Sequence, residues 1–221
     1  ERISHDMHDD LGAGISALKL QAEFLKQKIN EQHLKEDIND LLKTSEEMNL
    51  SMREMLWSLN SNNDTLGNFI QYLTIYSENF FKKTKIEIKI DREVDHPEKQ
   101  LNAETRRHLF LCAKEALNNI YKHSQARSLS IFFLLEKDIF TLEIIDNGIG
   151  IAKKDQEKVF EKFVQVYRKE DDYQGTGLGL TIVKKMVELF QGTIELESEE
   201  NIGTIVTFII NLDADSNKIN Q

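Results

Sequence analysis

The first sixty residues step their apolar positions by alternating threes and fours. Leu11, Ile15, Leu18, Ala22, Leu25 and Ile29 make one stripe; after a short polar break at residues 30–32, Leu34, Ile38, Leu41, Ser45, Met48, Met52, Met55 and Leu59 make a second. This period is the seam of a bundle or coiled-coil helix. It predicts two antiparallel helices of about 28 residues, each roughly 40 Å long at ~1.5 Å rise per residue. One narrow stripe per helix leaves apolar surface on the outside of a lone hairpin. Pairing two hairpins into a four-helix bundle hides it, so a homodimer is expected.

Past residue 60 the pattern changes. The stretch LNSNNDTLG (59–67) is rich in Asn and reads as a linker, with Asp64 or Thr65 suited to capping the next helix. Helices are predicted over 66–82, 103–123 and 178–190. KIEIKI (85–90) alternates as a strand. LSIFFLLE and FTLEIID read as two strands joined near residues 137–138, and TIELES and TIVTFIINL as a closing hairpin turning at 200–203. One mixed sheet covered by helices on one face accounts for this order, an α+β architecture. The expected organisation is a helical hairpin over 1–60, a second, α+β domain over 65–212, and a polar, disordered tail over 213–221.

Composition narrows the possibilities. With 40% apolar and 30% charged residues the chain is globular. No apolar run reaches the roughly 20 residues that cross a bilayer, and the chain starts in mid-pattern without Met, as a piece of something longer would. A net charge of −10 without a basic block argues against nucleic acid or anionic membrane as main partner. The single cysteine, Cys112, lies in the apolar stretch LFLCAKEAL and reads as a buried, inert thiol; a cytoplasmic setting is expected.

Five of the ten glycines fall in DNGIGI (146–151) and GTGLGL (175–180). The second cluster opens a predicted helix, where free backbone N–H groups and the helix dipole favour a phosphate. The first ends a strand with a carboxylate, Asp146, at the turn. Either alone is as readily a structural turn. Neither the P-loop pattern nor the G-x-G-x-x-G fingerprint is present. Upstream, Glu115, Asn119, Lys122 and His123 sit at offsets 0, 4, 7 and 8 along one side of a predicted helix. Carboxylate and amide oxygens suit Mg²⁺, and Lys and His suit phosphate, but by themselves the four are also an ordinary solvated face.

Taken in this order, the three elements resemble the N, G1 and G2 boxes of the GHKL ATPases, the Bergerat fold of histidine kinases, Hsp90, MutL and type II topoisomerases. The resemblance spans residues 65–212. It implies that ATP binds with Asp146 accepting from the adenine amino group and Thr204, of the late pair Gly203–Thr204, lying beside the base. Asn119 would hold Mg²⁺, with Glu115 as base or metal partner. Lys122, His123, Gly148, Gly150, Gly175, Gly177, Leu178 and Gly179 would line the nucleotide. VFEKF resembles the F box, with Phe160 and Phe163 anchoring a charged lid over 152–175.

The opening ERISHDMHDDLGAGISALKL resembles the phosphoacceptor helix of sensor histidine kinases, nearest the subgroup that partners regulators with a LuxR/NarL-like DNA-binding domain. MREMLWSLN (52–60) resembles that subgroup's second helix. Matching HDxLG makes His8 the acceptor, with Asp9 holding one ring nitrogen protonated. On helix pattern alone His8 reads as a polar member of the seam, and i+1 lies about 100° around the helix from i. His5 is a competing acceptor. Gly12 and Gly14 cost up to ~1 kcal/mol each inside a helix, and Gly12 would leave the ring of His8 open to a bulky partner.

The resemblance implies an ATP-dependent protein histidine kinase that passes its phosphoryl group to an Asp of a response-regulator receiver domain. It implies a membrane anchor only through segments outside this chain. Two features depart from the subgroup. Ala13 stands where Gln or Asn commonly positions water for receiver dephosphorylation, and the subgroup often lacks an F box. A GHKL ATPase or serine kinase with a purely dimerising hairpin, or a nucleotide-sensing scaffold, are the competing readings.

Overall fold

The computed structural model describes residues 17–26, 32–59, 64–164 and 177–213. The chain divides into two compact units, Glu1–Asn63 and Asp64–Gln221. The acceptor-helix residues His5, His8, Asp9, Gly12, Ala13 and Gly14 lie outside the described residues, as do Gly175 and residues 214–221. Among the described residues no helix is long and apolar enough to cross a membrane.

In the first unit, α1 (residues 17–26) and α2 (Gln32–Leu59) are helical, and the 28 residues of α2 match the length its apolar stepping predicts. The seam is buried where its residues are small, at Ala22 (4% exposed) and Ser45 (8% exposed). Several large seam residues stay in solvent: Leu18, Leu25, Leu41 and Met48 are each more than half exposed, while Leu34, Ile38 and Met52 are half-buried. Leu18 of α1 and Leu41, Thr44, Ser45 and Met48 of α2 line one shared groove.

The second unit begins earlier than a linker through residue 67 would allow. Thr65 forms an antiparallel bridge with Gln100, and Leu101 N–H donates to Asp64 O at 3.0 Å. Leu66 N–H donates to Lys99 O, and Gly67 N–H to Pro97 O. Thr65 then caps α3 (Leu66–Phe81), its side chain accepting from Asn68 N–H. Asp64 forms an ion pair with Arg106, whose side chain is fully buried in α4 (Ala103–Asn119). The Lys99 side chain pairs with Asp138, in the turn at residues 137–138, and with Asp213. Asp213, expected as the first residue of a loose tail, is therefore held by a charge.

Five strands form one mixed sheet: β1 (Glu87–Val94), β2 (Ser128–Glu136), β3 (Ile139–Asp146), β4 (Thr193–Glu199) and β5 (Gly203–Asn211). Their spatial order is β1-β2-β3-β5-β4, with β1 parallel to β2 and every other pair antiparallel. The strict alternation in β2 and β3 puts Leu129, Ile131, Phe133 and Leu135 with Phe140, Leu142 and Ile144 on one buried face. Helices α3, α4 and α5 (Gly179–Leu189) supply the apolar residues that cover such a face, including Phe69, whose ring meets Phe140 edge-on at 6.1 Å. The architecture is the α+β arrangement expected.

Two boundaries differ from the sequence reading. β1 starts at Glu87 and runs on through the polar residues 91–93 to Val94, because parallel pairing with β2 continues from Glu87↔Ser128 to Val94↔Leu135. Residues 91–93 are exposed, so no apolar signal marks that extension. Helix α4 ends at Asn119 and passes into a π-helical turn, Ile120–Ser124, closed by Gln125 at φ 55°. Ser124 Oγ donates to Ile120 O and accepts from Ala126 N–H, which fixes this wider turn.

Cys112 is fully buried, and burial pushes its thiol pKa up to about 12. It therefore reports on unfolding of the second unit, because only the opened chain exposes a thiol that ionises readily. Replacing Asp64 by Asn takes the Asp64 charge away from the buried Arg106 guanidinium. Breaking such a pair costs about 3 kcal/mol here, the low end of the range because Asp64 retains some water contact. The expected outcome is a lower urea midpoint for Cys112 labelling in Asp64→Asn, with an unchanged labelling rate in fully denaturing urea.

Candidate functional site

The site is assembled on a row of residues that crosses the sheet. Asp146, the last residue of β3, is opposite Leu129 of β2 on one side and Thr204 of β5 on the other. Thr204 is in turn opposite Ser198 of β4. Directly opposed residues of paired antiparallel strands share a face, so Asp146, Thr204 and Ser198 project together from the face that carries the core.

Asp146 is 6% exposed, and its Oδ1 accepts from Gly148 N–H at 2.7 Å. Burial raises its pKa above the ordinary carboxylate value, and the Gly148 N–H opposes that shift. The following loop is locked on both sides. Asn147 Oδ1 accepts from the N–H groups of Arg127 and Ser128, both at 2.9 Å, and Ile149 N–H donates to Ser124 O. A side chain at Gly148 would strike Ser124 O and the Asp146 carboxylate. Glycine at Gly203 is equally required: φ is 144°, and a Cβ there would run into Asp146 O. The loop is also tied to the β4–β5 hairpin, with Ile151 N–H donating to Ser198 Oγ at 2.7 Å and Asn201 N–H to Ile149 O. Gln156 Nε2 donates to both Ile151 O and Ser198 O.

Two helix ends meet next to this loop. Glu115 lies on α4, and its carboxylate is packed so closely against Gly179, the first residue of α5, that a Cβ there would collide with Oε1. Gly177 before it takes φ 65°. The start of α5 supplies unsatisfied backbone donors and the positive end of its dipole, which suit an anion. Asn119 is half-buried as the final residue of α4. Lys122 and His123 fall in the π-helical turn and are exposed. They do not continue one α-helical face with Glu115 and Asn119, because a π turn closes its hydrogen bonds one residue later.

The F-box-like stretch is anchored unevenly. Phe160, in a 3-10 turn (Lys158–Phe160), gives its carbonyl to Thr181 Oγ1 at 3.0 Å, and Lys184 Nζ stands 5.7 Å over its ring. Phe163 was expected to anchor too. Its backbone does so through an N–H bond to Gly177 O, but its ring is 73% exposed. Sequence reasoning gave no role to Asn147, although it stands within the quoted glycine motif. Ser198 and Gln156 carry no motif; only the strand register and the loop path bring them to the site.

This geometry is that of a known family. Residues 104–214 match the histidine kinase-, DNA gyrase B- and HSP90-like ATPase family, and residues 1–64 match a histidine kinase family. The chain therefore belongs to the histidine kinase-, DNA gyrase B- and HSP90-like ATPases. Histidine protein kinase 1 of Candida albicans is 51% identical over 76 residues, which are 33% of this chain and 3% of that protein. The sensor histidine kinase WalK of Bacillus subtilis is 43% identical over 76 residues, 34% of this chain and 12% of WalK. The chain thus spans a small fraction of the length of these relatives.

Solved structures agree in fold. The catalytic domain of histidine kinase ThkA, nucleotide-free, superposes with a TM-score of 0.55 at 22% identity, covering 67% of this chain and 95% of that one. Full-length ShkA in complex with AMPPNP reaches 0.61 at 15% identity, over 95% of this chain and 44% of that one. At these identities the likeness is one of fold.

Asp146 gives a test of the site's electrostatics. Its folded-state pKa is raised, so the folded protein holds the carboxyl proton more tightly than the unfolded chain. The ionised group therefore costs stability near neutral pH, and that cost disappears as pH falls through the folded pKa. Asn keeps an oxygen for Gly148 N–H without the charge. Nucleotide-free Asp146→Asn is expected to melt higher than the wild type near neutral pH, with the difference shrinking on acidification. Scanning calorimetry across pH checks this; a variant that melts lower near neutral pH would overturn it.

Proposed function

We propose that this chain binds ATP with Mg²⁺ and transfers the γ-phosphoryl group to His8, from which it passes to an Asp of a response-regulator receiver domain. The observation that carries the reading is the buried Asp146 at the head of a glycine loop, tied through Ser124 to the end of α4. The start of α5 lies beside Glu115 on the same helix. A buried carboxylate accepts from an amino group on a base, and the α5 N-terminus suits the phosphates. Glu115 and Asn119 supply oxygens for Mg²⁺, which with nucleotide phosphates needs only one or two protein ligands.

In the transfer, an unprotonated ring nitrogen of His8 attacks the γ-phosphorus. The N–P bond forms as the bond to the ADP oxygen breaks, and the other ring N–H stays protonated with Asp9 as acceptor. The phosphoramidate product is labile enough to pass the group onward to a carboxylate.

The exposed large residues on the seam of α1 and α2 support a homodimer, in which two hairpins form a four-helix bundle. The match of residues 1–64 and the LuxR/NarL-like pattern around His8 favour a receiver protein of that type. The named sensor kinases among the relatives favour a cytoplasmic segment of a membrane-anchored sensor.

Incubation with γ-labelled ATP and Mg²⁺ is expected to label the protein with acid-labile, base-stable phosphate, lost in His8→Gln and kept in His5→Gln. Label that survives in His8→Gln moves the acceptor elsewhere. Base-labile label points to a serine kinase, and ATP binding without label to a scaffold. Because Ala13 has no polar group to orient water, dephosphorylation of a phosphorylated receiver by the ADP-bound protein is expected to be slow. A rapid loss of receiver phosphate in that assay would contradict it.

A further inference from the structure

The chain carries a net charge of −10, yet one end of its second unit is positive. Helix α3 ends at Phe81, and Lys82, Lys83 and Lys85 follow in the turn that leads into β1. The rings of Phe80 and Phe81 meet that of Tyr121 at 5.7 and 6.5 Å, which holds this turn beside the π-helical turn bearing Lys122. Glu87 N–H donates to Arg127 O at 2.9 Å, so Arg127 stands at the same end, where β1 and β2 both begin. All five cations are exposed, and among the described residues none has an ion-pair partner. Residues 82–87 and 120–128 hold these five and a single carboxylate, Glu87; Glu78 lies one turn back on α3. The remainder of the chain is therefore more negative than its total.

The same end carries the glycine loop. Arg127 N–H donates to Asn147 Oδ1 at 2.9 Å, and Asn147 directly follows Asp146. Ser124, in the π turn with Lys122, accepts from Ile149 N–H. Cations after a helix also suit the negative end of its dipole, which accounts for Lys82 and Lys83. It does not account for Lys85 and Arg127, which precede strands, where the net dipole is small.

A nucleoside triphosphate is strongly anionic and keeps net negative charge with Mg²⁺ bound. The chain as a whole repels it, and only a region where cations predominate draws it in. Such a region raises the rate of encounter without touching the bound ligand.

We infer that Lys82, Lys83 and Lys85 form, with Arg127, an electrostatic approach surface for nucleoside triphosphate that speeds association and leaves the bound complex unchanged. The inference rests on the nucleotide reading above and adds to it residues outside every motif.

The test follows a ribose-labelled fluorescent ATP analogue binding to the whole chain by stopped flow, at several ionic strengths. In Lys82→Gln/Lys83→Gln/Lys85→Gln the association rate constant at low salt is expected to fall by roughly threefold or more, with the dissociation rate constant unchanged. The difference from wild type closes toward ~1 M salt, where the screening length is only about 3 Å. Affinity for adenosine, which is uncharged, stays the same. An unchanged association rate at low salt overturns the inference. So does a loss that persists at high salt or appears in the dissociation rate, since either means contact or altered structure.

A second pair of variants separates local charge from net charge. Lys83→Glu and Lys137→Glu change the net charge equally, but Lys137 follows β2 at its other end, about 30 Å away at ~3.3 Å per residue. Only Lys83→Glu is expected to slow association, and equal slowing in both would overturn the approach surface. Wild-type protein that binds no ATP would overturn the nucleotide reading itself, an outcome distinct from binding whose rate ignores these lysines.

Discussion

A carboxylate held out of water at the end of a strand is a cost that the rest of the second unit is arranged around. Asp146 lies under helices rather than in solvent, and only one N–H, that of Gly148, offsets its desolvation in the described structure. Such a group persists when its surroundings are too tightly determined to let it swing out. The loop after it is stapled by Asn147 to the start of β2, by Ile149 to Ser124 and by Ile151 to Ser198. The buried carboxylate is thus kept in place.

Helix α4 distributes that constraint. Near its first turn the buried Arg106 grips Asp64, the first residue of the unit, and further along its length Glu115 packs on the first residue of α5. Its last residue is Asn119, and the π-helical turn that follows delivers Ser124 to the glycine loop. One element therefore connects the place where the chain enters the unit with both halves of the proposed nucleotide site. A straight α-helix through residue 124 would carry Ser124 to a different azimuth, which gives the wider turn a physical purpose.

The first unit follows a different economy. Its interior contacts are made by small residues, Ala22 and Ser45, while Leu18, Leu41 and Met48 remain in solvent. Apolar area left exposed in this way gains roughly 25 cal/mol per Å² when covered. A second hairpin would supply that cover, and the stability of such a unit is then inseparable from association.

The periodicities of 3.6 and 2 determined the helices of the first unit, the strands of the second and the side of the sheet that is buried, because burial of alternating residues is a local property of the chain. Glu115, Asn119, Asp146 and the glycine clusters were picked out only through the resemblance that they carry as a set, because each alone reads as an ordinary helix face or turn. Other features were decided only by tertiary structure. β1 extends through polar residues because β2 offers it a ladder, and Lys122 and His123 leave the helical face because Ser124 closes a wider turn. Ser198 joins the site because strand register sets it opposite Thr204, and Asp64 belongs to the catalytic unit because a buried arginine 42 residues away needs a counter-charge. Each of these depends on a partner distant in sequence, and a hydrogen-bond or charge partner of that kind leaves no period in the chain that could announce it.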